Sequence, residues 1–322
     1  MRLILLAFAL FATPLAVAAP VDPLTVTIDQ TDADRFAKLF RETGGKPTAE
    51  QLQKRYLDGA GEGVRIFTPN RIENAATLAA AVAAQAENYR YAIETCLPLV
   101  ASMNGQLRAT YLAYRGLLPD RPMPQVYVVF GAGTSGGYAT SAAQVLGLEV
   151  SCGKGTTPDQ FRAALRGLFA HETVHSWQAS PSPGAMKDLL LFMAIFEGTS
   201  DYLASLVTGA QPNPARADWG RRQEAQVWAD FQKDRATLLA RTSDDFSKQP
   251  AQQKALNRWF YNYGKAPEGW PFEAGYWVGM QIAAAYVDQA TDKRAAINDL
   301  IEAKDPAAIL KASGYEARFA KR

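Results

Sequence analysis

Apolar residues recur at helical spacing along most of the chain. Phe36, Leu39 and Phe40 follow the acidic residues Asp32 and Asp34, and this spacing places the three apolar side chains on one face of a helix. The chain is therefore predicted to be predominantly helical. Comparable patterns, bounded by capping and helix-breaking residues, predict further helices at 48–57, 70–95, 98–117, 157–178, 182–209, 215–241, 252–261 and 272–290.

Two short segments depart from the helical pattern. Residues 126–130 (VYVVF) are β-branched or aromatic, as is typical of a buried strand, and residues 145–150 form a second strand candidate. The glycine-rich stretch 131–137 lacks the Gly-Lys-Ser/Thr ending of a phosphate-binding loop, so we interpret it as a flexible connection. We predict an α+β fold with a small sheet, divided into a mixed part at 19–155 and a helical part at 156–322.

The first residues have the pattern of a secretory signal peptide. Arg2 precedes an apolar run from Leu3 to Val17, and small residues follow the run. A membrane anchor is the alternative, but Pro14 interrupts the run, which is shorter than the roughly 20 residues of a spanning helix. We expect cleavage after Ala18, a periplasmic or secreted protein, and no stable membrane insertion. No cysteine lies directly after the run, so a lipoprotein anchor is not predicted. No later stretch is predicted to be long and apolar enough to span a membrane.

Composition narrows the classes of partner. The 322 residues include 34 Lys+Arg and 32 Asp+Glu, and a chain so close to neutral gives no reason to expect nucleic acid as a partner. The two cysteines, Cys96 and Cys152, would reach an oxidising compartment after export. They are expected to form either one disulfide or two buried thiols.

Both histidines of the chain lie in one H-E-x-x-H motif, at His171 and His175. Residues four apart share a helix face, so the two imidazoles can converge on one ion. Two randomly placed histidines would have this spacing in roughly 0.6% of such chains, which makes the motif specific. The motif predicts a Zn²⁺ site in which Glu172 serves a metal-bound water. The alternative is a pair of core histidines.

A third ligand must be sought on another helix. No further histidine exists, so we expect a carboxylate, and Glu197 follows His175 by 22 residues beside an apolar stretch. An acidic residue buried there needs a partner. Asp201 lies one turn later and is expected to accept the free ring N–H of a ligand histidine. It could also be the metal ligand itself, with Glu197 assisting, or an ordinary surface carboxylate.

These motifs together resemble the gluzincin, or thermolysin-like, metallopeptidases. More narrowly, HETVHSWQ (171–178), EGTSDY (197–202) and GYWVG (275–279) are similar to the predicted zinc-dependent proteases of bacterial envelopes. The resemblance implies His171, His175 and Glu197 as metal ligands and Glu172 as the general base. It also implies a zincin-like arrangement in which the strand at 145–150 pairs with an extended substrate.

The thermolysin-like class uses a further histidine to stabilise the oxyanion, and this chain has none. Tyr276 is our first choice for that role, with Tyr138, Tyr202 and Arg258 as alternatives; the other interpretation of Tyr276 is simple packing. The sequence therefore predicts an exported zinc metallopeptidase that acts on a peptide or protein substrate. The alternatives are a zinc-binding scaffold without turnover and a zinc hydrolase acting on non-peptide amides.

Overall fold

The computed structural model describes residues 21–320. The predicted signal peptide, at 1–18, lies outside the described residues. Contacts divide the described chain into two compact units, 21–177 and 178–320. The sequence pattern placed a division near residue 155, but the helix at Pro158–Trp177 packs on the sheet of the first unit and belongs to it.

Within residues 21–177, helices of 4 to 20 residues pack around a single small sheet. The α-helices of this unit are α1 (Thr31–Glu42), α2 (Ala49–Leu52), α3 (Glu62–Phe67), α4 (Ala75–Ala84), α5 (Ala86–Tyr91), α6 (Asn104–Leu117), α7 (Leu148–Ser151) and α8 (Pro158–Trp177). The predicted helix at 70–95 is interrupted. Asn74 caps the start of α4 by accepting the Thr77 N–H at 2.9 Å, Gln85 separates α4 from α5, and a π-helical turn, Ala92–Cys96, follows. Further π- and 3₁₀-helical segments of this unit are Gln53–Leu57, Thr68–Ile72 and Leu97–Met103.

The sheet contains strands β1 (Gln125–Val129), β2 (Gly137–Ala139) and β3 (Ala143–Gly147) in the order β1-β3-β2. β1 runs parallel to β3, and β2 runs antiparallel to it. The second predicted strand ends early, because the chain turns into α7 at Leu148. β3 is central and is hydrogen-bonded on both sides. The prediction that it pairs with an extended substrate is therefore wrong.

Helix α8 begins at the predicted capping box. Thr157 Oγ1 accepts the Gln160 N–H at 3.3 Å, and Gln160 Oε1 accepts the Thr157 N–H at 2.9 Å. The buried Gln144 side chain of β3 donates to Thr173 Oγ1 at 3.1 Å and to the Tyr111 hydroxyl at 2.8 Å. A side chain of the central strand is thus bonded directly to the motif helix.

The two cysteines form a disulfide. Cys96 and Cys152 have Cα atoms 6.4 Å apart and are fully buried. The bond joins the end of the Ala92–Cys96 turn to the residue that follows α7. Of the two alternatives left by the sequence, the structure has the disulfide.

The second unit, within residues 178–320, is helical. Its α-helices are α9 (Leu189–Thr208), α10 (Pro214–Arg222), α11 (Glu224–Leu239), α12 (Pro250–Trp259), α13 (Ala274–Gln289), α14 (Lys293–Glu302) and α15 (Pro306–Ser313), with short 3₁₀ segments at Ala185–Asp188, Phe246–Lys248 and Glu316–Phe319. α9 ends at Gly209, whose φ of 66° is the left-handed cap expected there. The predicted helix at 215–241 is divided at Gln223 into α10 and α11.

Helices α9 and α13 cross with their backbones in contact. A Cβ atom on Gly279 would lie 1.6 Å from the carbonyl oxygen of Ala194, and one on Gly198 would lie 2.1 Å from the Gly279 carbonyl carbon. Only glycine fits both positions. This crossing gives a packing reason for the glycines that follow Glu197 and end the GYWVG segment.

One described stretch, Ala185–Thr208, is long and apolar enough to cross a membrane by length and composition. The sequence prediction missed it. In the structure 61% of its apolar window is buried inside the protein, which is typical of the core helix of a globular fold. The predominantly helical α+β fold with a small sheet is confirmed.

Candidate metal site

The first unit contributes the two histidines of the motif. His171 and His175 are half-buried on α8, and their Nε2 atoms are 2.9 Å apart. The ring planes are inclined at 76° with centroids 4.6 Å apart. Two nitrogens at zinc-ligand distance in a tetrahedral site would be about 3.3 Å apart, so a small separation of the rings would admit the ion. The pair thus approaches the geometry of two ligands of one cation.

The side chain of Glu172, a residue of α8, packs against strand β2. This side chain is buried, and a Cβ atom on Gly137 would lie only 2.2 Å from Glu172 Oε1. The carboxylate therefore rests directly on the backbone of β2, at a position where glycine leaves room for it. The sequence predicted that Glu172 lies beside the histidines, but it did not indicate that the glycine-rich segment contacts the Glu172 carboxylate.

The second unit contributes the carboxylates. Glu197 is half-buried and Asp201 is buried, one turn apart on α9. Asp201 Oδ2 accepts a hydrogen bond of 2.5 Å from the buried guanidinium of Arg216. Asp201 is therefore not an ordinary surface carboxylate.

Tyr276 lies in the first turn of α13 beside these groups. Burial raises the pKa of its hydroxyl well above the ordinary value, and the Glu197, Glu273 and Asp201 carboxylates raise it further, whereas Arg216 acts in the opposite direction. The hydroxyl consequently stays protonated at physiological pH and can donate a hydrogen bond. Its ring packs against the Arg216 guanidinium, 4.8 Å from the ring centroid.

Arg216 is the residue that sequence reasoning missed. It lies in α10, where the Asn213 side chain caps the helix by accepting the Arg216 N–H at 2.9 Å. The Asn213-Pro214 start was available in the sequence as a helix signal. No local pattern, however, links an arginine in α10 to Asp201 in α9 or to Tyr276 in α13.

The alternative oxyanion candidates have other contacts. Arg258 pairs with Asp234 at 3.3 Å, and the Tyr138 ring lies 5.5 Å from the Arg71 guanidinium. Burial and then the Asp288 carboxylate raise the pKa of Tyr202.

The sequence-predicted residues therefore fall into two groups. His171, Glu172 and His175 are together in the first unit, and Glu197, Asp201 and Tyr276 are together in the second. Two neutral imidazoles and a carboxylate are a donor set that zinc accepts in proteins. The residue types fit that ion, whereas Mg²⁺ and Ca²⁺ prefer oxygen ligands alone.

A family model for the gliding motility protein GldB matches residues 20–317. No curated protein and no solved structure matches the chain. The identification as a gluzincin is therefore wrong, and so is the predicted function as a zinc metallopeptidase, because the matching family is one of gliding motility lipoproteins. The H-E-x-x-H motif describes ligands and their spacing, and these do not fix a reaction. Export is confirmed, because lipoproteins of this kind are exported and associated with the envelope. Over nearly its whole length, this chain belongs to the family of the gliding motility protein GldB.

Proposed function

We propose that this protein is an exported zinc-binding protein that serves gliding motility, with His171, His175 and Glu197 as the zinc ligands. The observation that carries the proposal is the 2.9 Å approach of the two Nε2 atoms on one face of α8. Such an approach needs either one N–H shared between neutral rings or a cation between them. Glu197, the carboxylate that the sequence predicts as the third ligand, completes the proposed set.

Zinc fits this donor set better than Mg²⁺ or Ca²⁺, which prefer oxygen ligands alone. Imidazole nitrogen together with a carboxylate oxygen suits zinc. Thiolate ligands would instead favour Cu(I). The two cysteines are joined in the disulfide, so they are not available as ligands. Zinc bound to the folded chain stabilises it by mass action.

The proposed role for the ion is binding and stabilisation, and Glu172 and Tyr276 are assigned no catalytic step. Glu172 lies against the backbone of β2 and can accept a hydrogen bond from a water at the ion. Asp201 would orient the ligand set, in the manner of carboxylates that support metal ligands. The family match connects the chain as a whole with gliding motility, and the periplasm or the medium is the proposed compartment.

Metal analysis of the purified full chain tests the proposal. We expect about one zinc ion per protein, lost in H171A, H175A and E197Q. E87Q, which changes an exposed glutamate on α5, is the matched carboxylate control and should keep the ion. A wild-type protein that neither carries zinc nor binds it in a titration would refute the proposal.

A second measurement connects the ion to motility. In cells that glide only when this protein is present, wild type and E87Q should restore spreading, and H175A should restore less. Full restoration by an H175A protein that is stably produced and free of zinc would separate zinc from the motility role.

A further inference from the structure

Arg216 has three different contacts within the second unit. Its guanidinium donates to Asp201 Oδ2 at 2.5 Å and to the backbone carbonyl of Glu273 at 3.1 Å, and it packs on the Tyr276 ring. The side chains of Arg216 and Asp201 are each only 6% exposed. A buried ion pair of this kind is strongly destabilised when one partner is removed, because the other charge is left in a poorly solvated place.

The backbone that carries Arg216 is also fixed. Asn213 caps α10 immediately before it, and a Cβ atom on Gly220 would lie 2.4 Å from the Trp277 ring. α10 thus packs closely on α13, and the guanidinium is held against Tyr276 by the helix as well as by its own contacts.

Charge around Tyr276 is strongly negative. The carboxylates of Glu197, Glu273 and Asp201 and the guanidinium of Arg216 all act on its hydroxyl. These three carboxylates and one guanidinium have a formal net charge of −2. Arg216 compensates one carboxylate specifically, because its N–H group is bonded to Asp201.

We infer that Arg216 is a positioning residue that makes Glu197, and not Asp201, the carboxylate ligand of the metal. This inference rests on the proposed zinc site. Glu197 and Asp201 are one turn apart on α9 and both are of ligand type, so spacing alone does not choose between them. A cation that took Asp201 would bind a carboxylate whose Oδ2 is already bonded to the buried guanidinium, and would compete with that ion pair. Asp201 therefore stays with Arg216, and Glu197 serves the ion.

Arginine suits this role better than lysine. The guanidinium presents N–H groups in a planar fork, so that separate nitrogens reach Asp201 and the Glu273 carbonyl while the plane packs on an aromatic ring. A lysine ammonium retains the charge but has no planar fork. R216K is thus a conservative variant that keeps charge compensation and loses part of the geometry.

Cobalt spectroscopy on the full chain tests the inference, with Co²⁺ as a visible probe of the ligand set and Zn²⁺ competition as the measure of affinity. We expect E197Q to lose the wild-type Co²⁺ spectrum and to weaken zinc binding more than about 100-fold, and D201N to keep the spectrum with about a tenfold weaker affinity. R216M should change the spectrum as Asp201 joins the ion, R216M/D201N should restore it, and R216K should retain it. R235M, which breaks the Arg235–Asp188 pair of the same unit, is the matched control and should leave the spectrum unchanged.

The opposite pattern overturns the inference. If D201N loses the wild-type spectrum and E197Q keeps it, Asp201 is the ligand. If folded R216M keeps the spectrum, Arg216 does not select the carboxylate ligand. Should R216M fail to fold, the comparison of D201N, E197Q and R216K still decides. Wild-type protein that binds neither Zn²⁺ nor Co²⁺ would overturn the zinc site itself, whereas wild-type binding with a failed selection pattern overturns only the role of Arg216.

Discussion

Glu149 gives the structure a buried carboxylate whose protonation should be visible in stability. It is 2% exposed, and its two oxygens accept N–H bonds of 3.1 Å from Gly131 and Gly133 in the glycine-rich segment. Burial raises the pKa of Glu149 from 4.5 to about 7, although the N–H groups of Gly131, Glu149 itself and Gly133 hold it down. The informative perturbation is E149Q, which removes the titration and keeps the shape.

The sign of the effect follows from the raised pKa. The folded state holds the Glu149 proton more tightly than the unfolded state, so the contribution to stability is complete below pH 4.5 and is lost as the pH rises through about 7. Linkage between these two pKa values gives a loss of about 2.5 kcal/mol in the free energy of unfolding between pH 5 and pH 8. E149Q lacks this loss. The free energy of unfolding of E149Q minus that of wild type should therefore rise by about 2.5 kcal/mol from pH 5 to pH 8.

Urea unfolding followed by tryptophan fluorescence at pH values from about 5 to 8 measures this difference. Other titrating groups are present in both proteins and cancel in the comparison. E87Q at an exposed position controls for loss of a carboxylate as such and should follow wild type. Parallel curves for E149Q and wild type would show that the folded pKa of Glu149 is ordinary and would refute the reasoning.

Three further predictions concern stability and packing. Replacing both Cys96 and Cys152 by alanine opens a loop with a sequence separation of 56 and should lower the free energy of unfolding by about 4 kcal/mol; a change below about 1 kcal/mol in urea unfolding would contradict the loop-entropy reasoning. G279A should destabilise the protein by about 3 kcal/mol or more, or prevent folding, because its Cβ meets backbone, whereas G105A on α6, where nothing lies within 4 Å, should be neutral or stabilising; equal thermal melting of the two variants would contradict this prediction. Zinc at about 100 times its Kd should raise the free energy of unfolding of wild type by about 2.7 kcal/mol and leave that of H175A unchanged. Calorimetry with and without the ion measures both values, and an equal response of the two proteins would contradict this prediction.

Sequence reasoning succeeded where a local pattern decides the structure. The capping box at Thr157 and the left-handed Gly209 each depend on a few neighbouring residues, so the start of α8 and the end of α9 could be predicted closely. The start of α9 was predicted wrongly, because the chain forms a 3₁₀ segment at Ala185–Asp188 before the helix begins at Leu189. The placement of His171 and His175 on one helix face followed from the same local geometry.

Tertiary contacts decided the remainder. Strand β2, at Gly137–Ala139, was not predicted, because a three-residue strand beside glycine has little propensity of its own and forms by pairing with β3. Arg216 was missed because its partners lie on two other helices. The reaction was predicted wrongly for a related reason: the motif records which atoms can approach a metal, and the same atoms serve proteins of other functions.

The crossing of α9 and α13 also limits how the second unit can be altered. Gly198 follows Glu197 directly and contacts the backbone of Gly279. The rotation of α9 about its axis is therefore fixed by contact between two main chains, and not by side chains that could be exchanged. Directed evolution aimed at a new metal preference can therefore vary the outward residues of this helix freely. Substitutions cannot rotate the helix by small steps. A new metal preference would therefore have to come from replacing ligand residues at their present positions.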